Sequence, residues 1–141
     1  MFFRMNKSKQ KVVLNLPKRK IFLKKKVLYS ILSYCKMKYP YEGILILRGK
    51  SKKGNILIDE LVIPPFSFSA HSSSGFPHHM LPADLSYVGT VHSHPSGNGH
   101  PSVTDLNNFF ELISLIVRYP FGENDIFAWN SNGVEVNLEI I

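Results

Sequence analysis

Apolar positions change their period along this chain, and each change marks an element. Val27, Leu28, Ile31, Leu32 and Cys35 recur at i, i+3 and i+4 within residues 25–38, which predicts a helix with one apolar stripe. Tyr39-Pro40 ends it, because the residue before a proline is driven out of the helical region. Ile44-Leu45-Ile46-Leu47 is an unbroken apolar run and predicts a buried strand. A polar hairpin loop, Lys50–Asn55, separates it from the next strand, Ile56–Ile63, which Pro64-Pro65 stops. Phe66–His71 alternates as a strand does, and Ser72–Leu85, with Ser-Ser-Ser-Gly and two prolines, predicts a loop. Residues 86–92 read as another buried strand. From Leu106 to Val117 the residues Leu106, Phe109, Phe110, Ile113, Ile116 and Val117 fall at helical spacing and predict a second helix ending near Tyr119-Pro120. Ile126–Trp129 and Val134–Leu138 predict a closing hairpin through Asn130-Ser131-Asn132-Gly133, whose Asn-Gly pair suits positive φ. Towards the start, Val12–Leu16 predicts a short strand closed by Pro17, and Ile21-Phe22-Leu23 is a further apolar triplet. The result is one mixed α/β unit without repeats or linkers.

Charge modifies this picture at one end. Of the 17 Lys and Arg residues, 12 lie in residues 1–41, which hold no Asp or Glu; residues 42–141 hold the other 5 and all 10 acids. The net charge of +7 is therefore a property of the start of the chain. The division expected is a basic arm over 1–20 and a folded domain over 21–141. The bland reading of such an arm is a solvated charged edge; the functional reading is contact with nucleic acid or an acidic partner. A single cysteine, Cys35, excludes an intrachain disulfide and sits on the apolar stripe as a small core residue. The first residues lack a secretory apolar core, and no stretch is long and apolar enough to span a bilayer, so the expected location is the cytoplasm.

Chemistry concentrates in His92-Ser93-His94-Pro95-Ser96-Gly97-Asn98-Gly99-His100-Pro101-Ser102-Val103-Thr104-Asp105. On a strand, positions i and i+2 share a face, so His92 and His94 direct two imidazoles to one point. Pro95 holds the preceding residue extended, and Gly97 and Gly99 let the chain turn. Ser102 follows a proline and precedes an apolar-periodic run, the position of a helix N-cap; Asp105 is then at N3 of a Ser-x-x-Asp box. Asp105 would return to the histidines as an oxygen ligand. Two nitrogens, one oxygen and an open fourth position make a catalytic rather than a structural zinc site. Each part has a bland alternative: a chance His-x-His, a mere helix cap. Glu42 is the only acid before Asp59 and stands at the mouth of a strand. His78 and His79 are adjacent in the loop and unable to face one metal together from a regular strand; His100 reads as an exposed loop residue.

Together, Glu42 and His92-Ser93-His94-x7-Ser102-x-x-Asp105 resemble the JAMM/MPN+ metallopeptidase signature at every position. The likeness extends from about Ile21 to Leu138. It takes in the helix ending in Tyr-Pro, the Leu-Arg-Gly end of the first core strand and Val-Gly-Thr-Val-His-Ser-His-Pro, and it is strongest to stand-alone archaeal members. Residues 1–20 lie outside it. The resemblance implies an α/β (α+β) fold: a single MPN domain with a curved mixed β-sheet flanked by helices, of cytidine-deaminase-like architecture.

It also implies zinc-dependent hydrolysis of peptide or isopeptide bonds. His92, His94 and Asp105 would hold one zinc ion, with water fourth. Glu42 would be the general base, and Ser102 would hydrogen-bond the tetrahedral intermediate. The partners implied are ubiquitin or a small ubiquitin-like modifier and its conjugates, with recruitment to a proteasome-like machine. The segment from Phe66 to Leu85 is a candidate wall of the substrate channel. Two other readings stand beside this one. His-Ser-His-Pro-Ser-Gly is also similar to the RadC-like, nucleic-acid-associated branch, and some MPN domains are non-enzymatic scaffolds.

Overall fold

The computed structural model describes residues 19–141. The expected strand over Val12–Leu16 and all but the end of the basic arm lie outside the described residues. β1 (Lys20–Leu23) leads into α1 (Lys25–Lys38), followed by β2 (Ile44–Lys52), β3 (Asn55–Val62), β4 (Phe68–Ser69) and β5 (Ser74–Gly75). A short 3-10 turn (His78–Met80) precedes β6 (Tyr87–His94), α2 (Val103–Asn107), β7 (Ile113–Arg118), β8 (Ile126–Trp129) and β9 (Glu135–Ile140). Among the described residues no helix is long and apolar enough to cross a membrane.

Seven strands form one mixed sheet in the order β1-β3-β2-β6-β7-β8-β9, curved so far that β1 and β9 pair and close it into a barrel. β1 is parallel to both β3 and β9, and β6 is parallel to β7, while the remaining neighbours are antiparallel. The main core lies on the α1 side. Val27, Leu28, Ile31, Leu32 and Cys35 of α1 are buried there with Leu45 and Leu47 of β2, Val91 of β6 and Ile113, Leu115 and Val117 of β7. Burial pushes the Cys35 thiol up to about 12, so this group is an inert core side chain. A second, smaller cluster on the other face joins Ile44 and Ile46 to Phe76. Period-two alternation therefore assigns β2, β6 and β7 one face to the core and one to the segment over residues 66–85.

Two sequence expectations are corrected. The helix expected over Leu106–Val117 stops at Asn107, and Ile113–Arg118 is a central strand parallel to β6. Ile113-Ser114-Leu115-Ile116-Val117 is rich in β-branched residues and buried throughout, and a short apolar run of that kind satisfies a helical or a strand template equally until its neighbours are known. The strand expected over Phe66–His71 shrinks to Phe68–Ser69, because Phe66 takes a φ of 53° that breaks extended pairing. The helices flanking the sheet are thus one of 14 residues and one of five. Gly89 is required where β6 meets β7: a Cβ there would stand 1.8 Å from the Ile113 carbonyl oxygen.

Candidate metal centre

The register of β2 against β6 builds the site. Ile44 pairs with His92, the Ser93 N–H donates to the Gly43 carbonyl at 3.0 Å, and the Gly43 N–H donates to Ser93 Oγ at 2.9 Å. This double clamp brings Glu42 beside the histidines. The backbone N–H of Glu42 is itself held by the Ala70 carbonyl at 2.7 Å. His92 and His94 project from the same face of β6 and are buried, with their Nε2 atoms 3.1 Å apart. Gly97, at φ 85°, turns the chain after Pro95.

Asp105 arrives from α2. Ser102 is the N-cap: its Oγ accepts from the Asp105 N–H at 3.0 Å, and Asp105 Oδ2 accepts from the Ser102 N–H at 2.8 Å. The capping box fixes the carboxylate so that Oδ2 lies 3.4 Å from His92 Nε2 and 3.2 Å from His94 Nε2.

These distances test the fit of a metal. Three donors bound to one tetrahedral zinc at about 2.0–2.1 Å must stand roughly 3.3 Å from one another, and the three edges here are 3.1, 3.2 and 3.4 Å. His94 Nδ1 is 2.7 Å from the Asn98 carbonyl oxygen, a contact that requires the proton on Nδ1 and turns the Nε2 lone pair inward. Two imidazole nitrogens facing each other across 3.1 Å beside a carboxylate form a site for a cation. Glu42 adjoins the same pair: its carboxylate and the two histidines offer donor atoms within 4.8 Å of one another. Asp105 is the nearer carboxylate, and Glu42 stands one step farther out. The donor set fits one zinc ion.

The electrostatics separate the two carboxylates. Burial works to raise both. At Asp105 the hydrogen bonds and charge of His92 and His94, with the Ser102 N–H, outweigh it and hold the carboxyl far below its usual range. At Glu42 burial prevails over the attraction of His92 and His94, and the pKa is raised. Burial would lower the His94 pKa, but its bonds to Asp105 and Asn98 overcome this and raise it.

The structure brings together Glu42, His92, His94, Ser102 and Asp105, the five residues singled out in the sequence. The segment from Phe66 to Leu85 does wall the adjoining cavity, through Phe68, Ser72–Phe76 and His78. His79 is exposed, and His100 is an exposed residue whose ring lies 5.0 Å from that of Trp129. Sequence reasoning missed three supporting groups: Ser93, which clamps the Glu42 stretch; Ser74, whose hydroxyl is 3.3 Å from Glu42 Oε1; and the Asn98 carbonyl. Only Ser93, inside the His-x-His, carried any local signal.

Residues 24–132 match the model for prokaryotic homologs of the JAB domain. A probable metalloprotease of Haloferax volcanii is 29% identical over 116 residues, which cover 73% of this chain and 68% of that protein. A structure described as a JAMM metalloprotease-like zinc site in the proteasome and signalosome superposes with a TM-score of 0.62 at 31% identity, over 89% of this chain and 99% of the other. The crystal structure of a JAB1/MPN domain protein from Archaeoglobus fulgidus gives 0.65 at 36% identity, over 84% and 97%. A solution structure from Desulfitobacterium hafniense, at 0.59 and 16% identity over 86% and 92%, shares the fold.

Proposed function

Because the chain belongs to the family of prokaryotic homologs of the JAB domain and carries a zinc centre of the JAMM metallopeptidase kind, we propose that it cleaves ubiquitin-like modifiers from their conjugates as an isopeptidase or peptidase. The observation that carries this reading is that Glu42, on the stretch leading into β2, stands beside His92 and His94, which Asp105 joins from α2. A pure scaffold has no use for a buried carboxylate with a raised pKa beside three metal donors.

His92, His94 and Asp105 hold the ion. When bound, zinc lowers the pKa of a coordinated water toward ~7 and polarises the scissile carbonyl. Glu42 takes the proton of the attacking water and delivers it to the departing amine, so that the C–N bond breaks to give one carboxylate and one amine. The half-buried Ser74 hydroxyl, 3.3 Å from Glu42 Oε1, orients the Glu42 carboxylate. Ser102 donates its hydroxyl hydrogen to the oxyanion while its oxygen goes on capping α2. An extended modifier tail lies along the segment over Phe66–Leu85, adding to an exposed strand edge. Recruitment to a proteasome-like machine would supply conjugates, and the site acts on them in the cytoplasm.

The test is cleavage of linear and lysine-linked ubiquitin-like fusions by the zinc-loaded protein, with and without a chelator. Chelator-sensitive release of the modifier is expected; a zinc-loaded protein inert toward every modifier in the panel, yet binding DNA or a stable protein partner, would overturn the reading in favour of the RadC-like or scaffold alternative. Ser102→Ala is expected to lose most of the activity, by about 10²–10³-fold in kcat, and to lose about 1 kcal/mol of stability as a helix cap. It should still bind zinc, as metal analysis of the purified variant would show. Zinc loss in that variant would instead make the serine a holder of Asp105.

A further inference from the structure

We propose that Trp129 is a positioning residue for the metal centre. It clasps the loop between β6 and α2 at Gly99, and so holds His94 in the tautomer that presents Nε2 to zinc. The proposal rests on the zinc centre described above and on no particular substrate.

The loop over residues 95–101 touches the sheet at one point. Asn98 and His100 are exposed, and Gly99 between them is buried. Across the sheet, His92 of β6, Ile116 of β7 and Phe127 of β8 stand in one row, and Trp129 shares the face of Phe127 two residues on. The loop leaves β6, crosses β7 and comes to rest on these two aromatic side chains. A Cβ on Gly99 would stand 2.7 Å from two ring carbons of Phe127, so the close approach requires glycine. Beside it the Trp129 Nε1–H donates to the Gly99 carbonyl at 3.0 Å. Trp129 is 5% exposed. An indole N–H only donates, and a buried one needs an acceptor; the Gly99 carbonyl is that acceptor.

The Gly99 carbonyl is one peptide on from the Asn98 carbonyl, which lies 2.7 Å from His94 Nδ1. Two planar peptides meet at the Gly99 Cα and turn only about its two dihedrals. Trp129 holds the second plane, Phe127 lies against the Cα, and Asn98 Oδ1 accepts from the His100 N–H at 3.0 Å across both. The Asn98 carbonyl therefore stays aimed at His94. The backbone of His94 is fixed separately, since its carbonyl accepts from the Tyr119 N–H at 3.1 Å and the Gly97 N–H at 3.2 Å. What Trp129 governs is the ring. A neutral imidazole carries its proton on either nitrogen, and one that carries it on Nε2 has no lone pair there for a metal. An exposed Asn98 released from the clasp exchanges the ring for water. The fraction of His94 ready to bind then falls, and the apparent zinc affinity falls with it.

The experiment is competition for zinc between a chromophoric chelator and the wild type or its variants, at a temperature where all are folded. Trp129→Phe keeps a ring in place and removes the donor. Its zinc affinity is expected to fall by about tenfold or more, the usual effect of losing an outer partner of a ligand histidine. Val27→Ala, in α1 and away from the centre, should lower the unfolding midpoint and leave zinc affinity at the wild-type value. Gly99→Ala should weaken zinc by driving the loop off Phe127, and adding Phe127→Leu should recover part of the loss; this pair decides if Trp129→Phe does not fold. Histidine ring 1H–15N spectra of the zinc-loaded protein supply the signature: a His94 proton on Nδ1 that exchanges with water faster in Trp129→Phe than in the wild type. Wild-type zinc affinity in Trp129→Phe, an equal loss in Val27→Ala, or a His94 proton on Nε2 in the wild type would overturn the proposal. Weakened zinc binding in Trp129→Phe beside a wild type that cleaves no fusion keeps the positioning role and removes the peptidase function. Cleavage by the wild type beside an unaltered Trp129→Phe affinity keeps the function and removes the role.

Discussion

Replacing Glu42 by Gln is expected to lower kcat/KM by about 10²–10⁴-fold, the contribution of a positioned general acid–base, while the purified protein keeps its zinc. Gln preserves the shape of Glu, and its amide oxygen still meets the Ser74 hydroxyl, but it has no negative charge with which to take a proton. Kinetics beside metal analysis of the same sample checks this. The result would fail if the variant were metal-free, because Glu42 would then be a ligand, as its grouping with the two histidines within 4.8 Å permits. A titration follows from the same burial. In the metal-free protein the Glu42 carboxyl should titrate above the ordinary carboxylate range, since burial raises it. The sign is that of a group that binds its proton more tightly in the folded than in the unfolded chain. Its contribution to stability is present at low pH and is lost as pH rises through the raised pKa. A bound cation favours the carboxylate, so the acid limb of kcat/KM in the zinc enzyme should lie below the value measured for the metal-free protein.

Asp105→Asn should reduce zinc affinity by more than about 100-fold, beyond what disturbing a ligand's hydrogen-bonding partner alone produces. Oδ2 of Asp105 lies within 3.4 Å of both imidazole nitrogens, and its pKa is held far down by them, so it contributes full negative charge at any working pH. The amide removes that charge but keeps an oxygen for the Ser102 N–H, which isolates the metal effect from the cap. Asp105→Ala removes both, and its unfolding midpoint should fall further than that of Asn. Competition with a chromophoric chelator reads the affinity. Unchanged affinity in Asp105→Asn would transfer the third ligand position to Glu42, and the two carboxylate variants together leave one assignment.

Much of the site was legible because its parts are local. His92 and His94 need only a strand to share a face, and Ser102 and Asp105 need only one helical turn to cap each other. Helix α1 was legible for the same reason: its stripe, from Val27 to Cys35, keeps the helical period within a few residues. Glu42 was not local, and only its rarity as an acid and the resemblance marked it. The 106–117 segment was misread because its apolar spacing fits two periods, and the choice depends on β6 and β8, which lie on either side of β7.

The sequence by itself determined which side chains can meet a metal, since strand period, proline and N-cap geometry act within a few residues. The tertiary structure alone decided how close each carboxylate stands to the two imidazoles, because that depends on the β2–β6 register and the angle at which α2 returns. It also decided that Ile113–Arg118 is a strand, that Ser93 and Ser74 hold the Glu42 stretch, and that Thr90 and Ser114 line the cavity beside the metal centre. Each of these depends on residues far apart in the chain, brought together only when the sheet curves and closes on β1 and β9.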